Sequence, residues 1–344
     1  MGYDVSVTST RPPIVYRWDL DKTYLRTDFD SVRELLRTAF EPPEAKRTVP
    51  GARILMRELE RTGPQQVCIL SGSPEQMRGR IEKKLRLDGV RWDSLTLKPS
   101  LQNLMRGRLR FVKDQVLYKL GALLRSRVSQ DPISDEVLFG DDAEADAFVY
   151  SLYSDICAGL IDAERLMAVL HEARVYEEEI PSLVRLASRV PRRECVRRIF
   201  IHLERLREPG GFGVLGLRVC PFYNYFQPAL VLLCEGRLSA EATLRVGRAL
   251  VEEHGFTPDA LAASFFDLVT RGHVGGEAAR ALLAADTQAS PATDALFLAL
   301  REGGAADLEA IGPLVAGPID YQTLFSRETA RAHEAKARAR WRRE

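Results

Sequence analysis

At 344 residues, with 45% hydrophobic and 28% charged side chains, the chain is long enough for two domains and too apolar to be disordered. No uninterrupted apolar segment reaches the length of a bilayer, and the start, MGYDVSVTST, lacks the basic head and apolar stretch of a secretory signal. A net charge of +1 excludes attraction to nucleic acid by the field of the whole molecule.

In chain order, PIVYRW (13–18) reads as a strand and SVRELLRTAF (31–40) as a helix. ARILMRELERT (52–62) is helical, QQVCIL (65–70) a strand, PEQMRGRIEKKLRLD (74–88) helical and SLTL (94–97) a strand. KDQVLYKLGALLRSR (113–127) and DEVLF (135–139) close the series as helix and strand. Strands alternating with amphipathic helices predict a parallel sheet covered on both faces, a Rossmann-like α/β domain over residues 1–156.

From 157 to 344 the texture turns to Leu/Ala/Arg/Glu-rich segments with helical spacing, such as SAEATLRVGRALVEEHG and TPDALAASFFDLVTRG. Thr257-Pro258-Asp259 reads as an N-cap, a first helical position and an acidic first turn. A mostly helical second domain is the expectation. The end, ARAHEAKARARWRRE, reads as a basic, solvated terminal helix, with contact to an acidic partner or lipid surface as the alternative.

Cys68, Cys157, Cys195, Cys220 and Cys234 are scattered and form no Cys-x-x-Cys pair, which argues against a zinc site or disulfide framework and fits a reducing cytoplasm. The histidines, His171, His202, His254, His273 and His333, all lie in the second half without ligand-like spacing. Histidine-dependent schemes therefore do not apply to the first domain. Gly211, Gly213 and Gly216 satisfy Gly-x-Gly-x-x-Gly, but a charged helical stretch precedes them and Pro221 follows. They are read as a loop, because that fingerprint needs a strand before it and a helix after it.

In open α/β sheets, ligands bind beyond the carboxyl ends of the strands. Three predicted strands end in polar clusters: Asp19-Leu20-Asp21-Lys22-Thr23, Ser71-Gly72-Ser73-Pro74, and Gly140-Asp141-Asp142 with Asp146 further on. An isolated Asp-x-Asp is ordinarily a solvated turn. With a lysine-bearing helix before the last strand, the four elements together make a candidate site.

This order resembles the haloacid dehalogenase superfamily of phosphohydrolases, and within it the phosphatidate phosphatase catalytic-domain family. DLDKTYLRT, TVPGARILMREL, ILSGSPEQM and LFGDDAEADAFVY carry the likeness, which covers roughly residues 12–155. The resemblance implies a phosphatase in which Asp19 is the nucleophile and Asp21 the general acid and base. It implies Mg2+ held by the carboxylates of Asp19 and Asp141 and by the backbone carbonyl of Asp21. Ser71 would hold a phosphoryl oxygen, with Gly72 beside it, and a lysine held by Asp146 or Asp142 would neutralise charge. Lys113, at the apparent helix start, is favoured for that lysine. Lys119, closer to the family's spacing, is the alternative. Two residues depart from the family pattern: Lys22, an extra substrate contact or a surface lysine, and Asp142, where a serine is common.

The intervals Thr23–Pro50 and Ser71–Lys113 have no room for a full lid domain, so an open site and a large or surface-bound phosphorylated substrate are expected, with a lid from the helical half as the alternative. Arg78, Arg80, Lys83, Lys84, Arg106, Arg108 and Arg110 are candidate contacts for acidic substrate groups, with solvated helix faces as the plainer reading. The resemblance implies phosphatidate or a related phospholipid as substrate. The alternatives are a phosphatase for nucleic-acid ends or phosphoproteins, and an idle fold kept as a binding module beside a helical scaffold.

Overall fold

A computed structural model describes residues 11–26, 42, 46–99, 113–205, 207–285, 290–309, 319–321 and 323–325. The expected helix at 31–40, Arg106, Arg108, Arg110 and the basic C-terminal run lie outside the described residues. No described helix is long and apolar enough to cross a membrane.

Six strands form one parallel sheet: β1 (Ile14–Asp19), β2 (Gln66–Pro74), β3 (Ser94–Lys98), β4 (Asp135–Asp141), β5 (Val196–His202) and β6 (Val219–Phe222). Their spatial order is β3-β2-β1-β4-β5-β6. The chain therefore builds outward from β1 on one side, returns to β4, and builds outward on the other. That reversal leaves a crevice between the carboxyl ends of β1 and β4, the place where such sheets bind ligands. Trp18 pairs with Phe139 across these strands, so Asp19 and Gly140-Asp141 emerge side by side.

Alternate strand residues feed two cores, as the period of two requires. Tyr16, Trp18, Val67, Ile69, Val137, Phe139, Phe200 and Phe222 face one core, and Leu70, Leu138, Ile199 and Ile201 the other. On the first face an aromatic row crosses four strands. Trp18 and Phe139 stack at 3.8 Å, Phe139 and Phe200 lie 5.0 Å apart, and Phe200 meets Phe222 edge-on at 6.3 Å. Each such pair contributes roughly 0.5–1.5 kcal/mol beyond its burial.

The first face is covered by α1 (Ala52–Arg61) and α2 (Arg78–Leu87), together with α7 (Phe226–Cys234), α8 (Ala240–His254), α9 (Pro258–Thr270), α10 (Gly276–Ala284) and α11 (Asp294–Glu302). The second is covered by α3 (Gly121–Val128), α4 (Asp146–Ala158), α5 (Ala163–Glu172) and α6 (Ile180–Ala187).

The boundary expected at 156 is therefore corrected. β5 and β6 come from beyond it yet complete the sheet, and the late helices share a core with α1 and α2. Val196–His202 was missed because Arg197 and Arg198 interrupt its apolar alternation. Both arginines are paired, Arg197 with Asp135 and Arg198 with Glu235. Within the helices, Pro258 opens α9 as expected, though the Thr257 side chain makes no capping bond. Gly211 and Gly213 fall in a 3-10 turn, Pro209–Leu215, between β5 and β6, and Gly216 follows it.

Candidate active site

The crevice between β1 and β4 gathers one lysine and several carboxylates. Asp19 ends β1 with no exposed surface, and beyond it the chain closes a tight turn in which Leu25 N donates to Leu20 O (2.7 Å) and Lys22 N to Leu25 O (2.8 Å). Lys22 sits at φ +62°, a left-handed conformation costly for a residue with a Cβ. The second half of the chain braces that turn. His202 Nδ1 lies 2.9 Å from the Lys22 carbonyl, and the Tyr225 hydroxyl donates to the Thr23 carbonyl.

Strand β2 supplies the next wall. Its pairing with β3 jumps from Leu70 to Pro74, so Ser71–Ser73 bulges away from the regular ladder. Ser71 Oγ and Ser73 Oγ each donate to Asp21 Oδ2 at 2.9 Å. Ser71, expected on a phosphoryl oxygen, donates here to the Asp21 carboxyl and orients it. Burial, reinforced by Glu144, raises the pKa of Asp21 above the ordinary carboxylate range against the pull of these two serines. A carboxyl so placed holds a proton closer to neutral pH, as a general acid must. Gly72 lies close to Gln115, since a Cβ there would be 3.0 Å from Gln115 Nε2 and the amide would have to shift.

The lysine at the centre is Lys119. Its ammonium lies 2.8 Å from Asp19 Oδ1, pairs with Asp146 Oδ1 and lies 2.7 Å from Glu144 Oε2. Lys113, favoured from its position, instead lies over the Tyr176 ring, 4.0 Å from its centroid. The correction has a local cause. Val116–Leu120 forms a π-helical turn ahead of α3, and this wider turn rephases the helix so that Lys119 faces the sheet. Burial opposes the charge on Lys119, but Asp146, Asp19 and Glu144 outweigh it and hold the ammonium well above its usual pKa.

Strand β4 delivers Asp141, whose Oδ1 accepts from Ala143 N (2.6 Å) and Glu144 N (2.9 Å). Asp146, at the start of α4, turns back so far that a Cβ on Gly140 would meet its Oδ2 at 2.5 Å, which makes glycine necessary there. Asp142 points elsewhere: its Oδ1 accepts from Arg205 N at 2.9 Å. Glu144 had no place in the motif reading; only the structure shows it reaching the lysine.

The charges do not balance. Burial drives Asp19 and Asp141 well above the ordinary carboxylate range, with Lys119 only partly compensating, and burial pushes Asp146 up to about 6. Asp19 Oδ2 and Asp141 Oδ2 are buried without a hydrogen-bond partner among the described residues. Orphaned carboxylate oxygens in a dry site are what a hard divalent cation satisfies, so Asp19 and Asp141 are residues that could hold one. Asp19, Glu144 and Asp146 also bring oxygens within 4.8 Å of one another, but the Lys119 ammonium already occupies that triad.

The basic residues on α2 are engaged internally: Arg78 pairs with Glu75 and Glu82, and Lys84 with Asp88 at 2.7 Å. No protein-family model, curated protein or solved structure matches the chain.

Proposed function

We propose that the chain is a metal-dependent phosphohydrolase of the haloacid dehalogenase type, cleaving phosphate monoesters through an aspartyl-phosphate on Asp19. The observation that carries this reading is the convergence of Asp19, Asp141 and Lys119 with two orphaned carboxylate oxygens at the sheet's reversal point.

Phosphoryl transfer asks the protein chiefly for position and positive charge. Lys119 supplies fixed charge beside Asp19 and is itself oriented by Asp146. Magnesium, held by the Asp19 and Asp141 carboxylates, would add charge neutralisation and alignment of the phosphoryl group when bound. An Asp19 oxygen attacks phosphorus as the ester P–O bond breaks, and the departing alkoxide takes the proton of Asp21. Asp21, now anionic, accepts a proton from water as that water attacks the phosphoryl-aspartate. Inorganic phosphate leaves and Asp19 regains its carboxylate. Ser71 and Ser73 keep the Asp21 carboxyl in place through both steps.

Hydrolysis of p-nitrophenyl phosphate with Mg2+ tests the reaction. Asp19→Asn is expected to lower kcat at least about a thousandfold. A wild-type protein inert toward this ester, liposomal phosphatidate and a 5′-phosphorylated oligonucleotide alike would end the proposal. Activity on one of the last two would separate the lipid reading from the nucleic-acid one.

A further inference from the structure

Beside the site lies a buried cation for which the phosphatase chemistry has no task. Lys98 ends β3 and pairs in the sheet with Pro74, the residue that closes the Ser71–Ser73 bulge. The residue is 7% exposed, and among the described residues its ammonium has no ion pair. It lies instead over the Tyr118 ring, 5.8 Å from the centroid. Burial lowers its pKa; Asp114 and Glu144 act in the other direction, and Lys119 is near enough to add to the lowering.

Its surroundings are polar and unsatisfied as well. Among the described residues the Tyr118 hydroxyl is buried without a hydrogen-bond partner, and Asp19 and Lys119 both act on it electrostatically. Gln115, 1% exposed, packs its amide against Gly72, and its Oε1 has no hydrogen-bond partner among the described residues. A buried ammonium that no carboxylate contacts is costly, and the cost is relieved when an anion binds.

We propose that Lys98, with the Tyr118 hydroxyl, binds a second anionic group of the substrate. The site then selects monoesters bearing a carboxylate or a second phosphate near the transferred phosphoryl. This inference rests on the phosphatase reading and narrows its substrate. It points away from phosphatidate, whose anionic charge lies in the monoester alone.

Matched ligands test it by calorimetry on the Asp19→Asn protein, which binds without turnover. One pair is methyl phosphate and phosphoglycolate; the other is propyl phosphate and propane-1,3-diol bisphosphate. The member with the second anion is expected to bind about tenfold more tightly in at least one pair, the scale of one charge-assisted contact. Which pair responds tells a carboxylate-bearing substrate from a bisphosphate. Adding Lys98→Met should erase that preference, and Lys98→Arg, which keeps the charge, should retain much of it. Equal binding within both pairs, or a preference that survives Lys98→Met, overturns this inference alone. Failure of all four ligands to bind would remove the phosphatase reading, and this inference with it.

Discussion

Two buried ionic clusters lie at opposite ends of the same sheet, and they are built on different rules. Near the amino end of β4, Glu136 accepts from Arg17 Nε (2.7 Å) and Nη2 (3.1 Å) and from the Tyr153 hydroxyl (2.8 Å). Arg17 Nη1 and Nη2 also donate to Ser126 (2.9 Å) and Gln130 (2.7 Å). Next to it, Asp135 is shared by Arg193, Arg197 and Arg237. Every carboxylate oxygen there has a cation or a donor. At the carboxyl end, among the described residues, the Lys119 ammonium serves Asp19, Asp146 and Glu144, while Asp19 and Asp141 each keep an oxygen without a partner. A satisfied network holds a fold together; one left short of positive charge is prepared for something it lacks.

The sharpest way to break this contrast is to remove a cation from each cluster. Lys119→Met should lower kcat toward p-nitrophenyl phosphate by about a thousandfold, the scale of losing the fixed charge at a transferring phosphoryl group. Lys113→Met, on the same helix but over Tyr176, should change kcat less than about twofold; were the two losses comparable, the assignment of the lysine would fail. Arg17→Met removes the closest cation from buried Glu136, leaving Arg127 at 3.6 Å and the Tyr153 hydroxyl, and should cost about 2–3 kcal/mol in denaturant unfolding, the scale of lost hydrogen bonds to a buried charge.

A smaller effect of opposite sign is expected from an acid at the carboxyl end. Without metal at pH 7, Asp141→Asn should raise the unfolding free energy by about 1 kcal/mol, because it removes a charge the fold does not balance. Added Mg2+ should then raise the Tm of the wild type by more than that of the variant.

The pH dependence separates the clusters as well. Burial holds the folded pKa of Asp141 above its ordinary 3.8, so its ionisation destabilises the fold as pH rises past that value. At Asp135 burial pushes upward too, but Arg197 and Arg193 prevail and the folded pKa is lowered. Its stabilisation is present above 3.8 and is lost as pH falls toward the folded value. Metal-free unfolding followed from pH 3 to pH 6 should therefore show Asp141→Asn flattening the loss of stability on the way up. Asp135→Asn should flatten the loss on the way down. The same slope from both variants would show that the two clusters do not differ as described.

Much of the site was legible before folding was considered. Asp19, Asp21, Ser71 and Asp141 follow short apolar runs, and a strand followed by a polar cluster is a local pattern. The lysine was not legible in the same way. On a regular helix Lys113 and Lys119 point about 120° apart, and the choice between them turns on a π-helical turn that apolar spacing does not reveal. Glu144 reads as one more loop acid until Asp141 accepts from its backbone N–H and its side chain meets Lys119. His202 and Tyr225 carry no motif at all, yet they hold the turn after Asp19 from about 180 and 200 residues away in the chain.

What the sequence determined by itself was the alternation of strand and helix and the polar residues at the strand ends, because side-chain period and turn chemistry are properties of neighbours in the chain. The tertiary structure alone decided that β5 and β6 extend the same sheet, which lysine reaches Asp19, and which carboxylate oxygens stay unsatisfied. Those outcomes depend on which distant groups compete for one buried space, and solvation in a dry crevice is a property of the assembled fold.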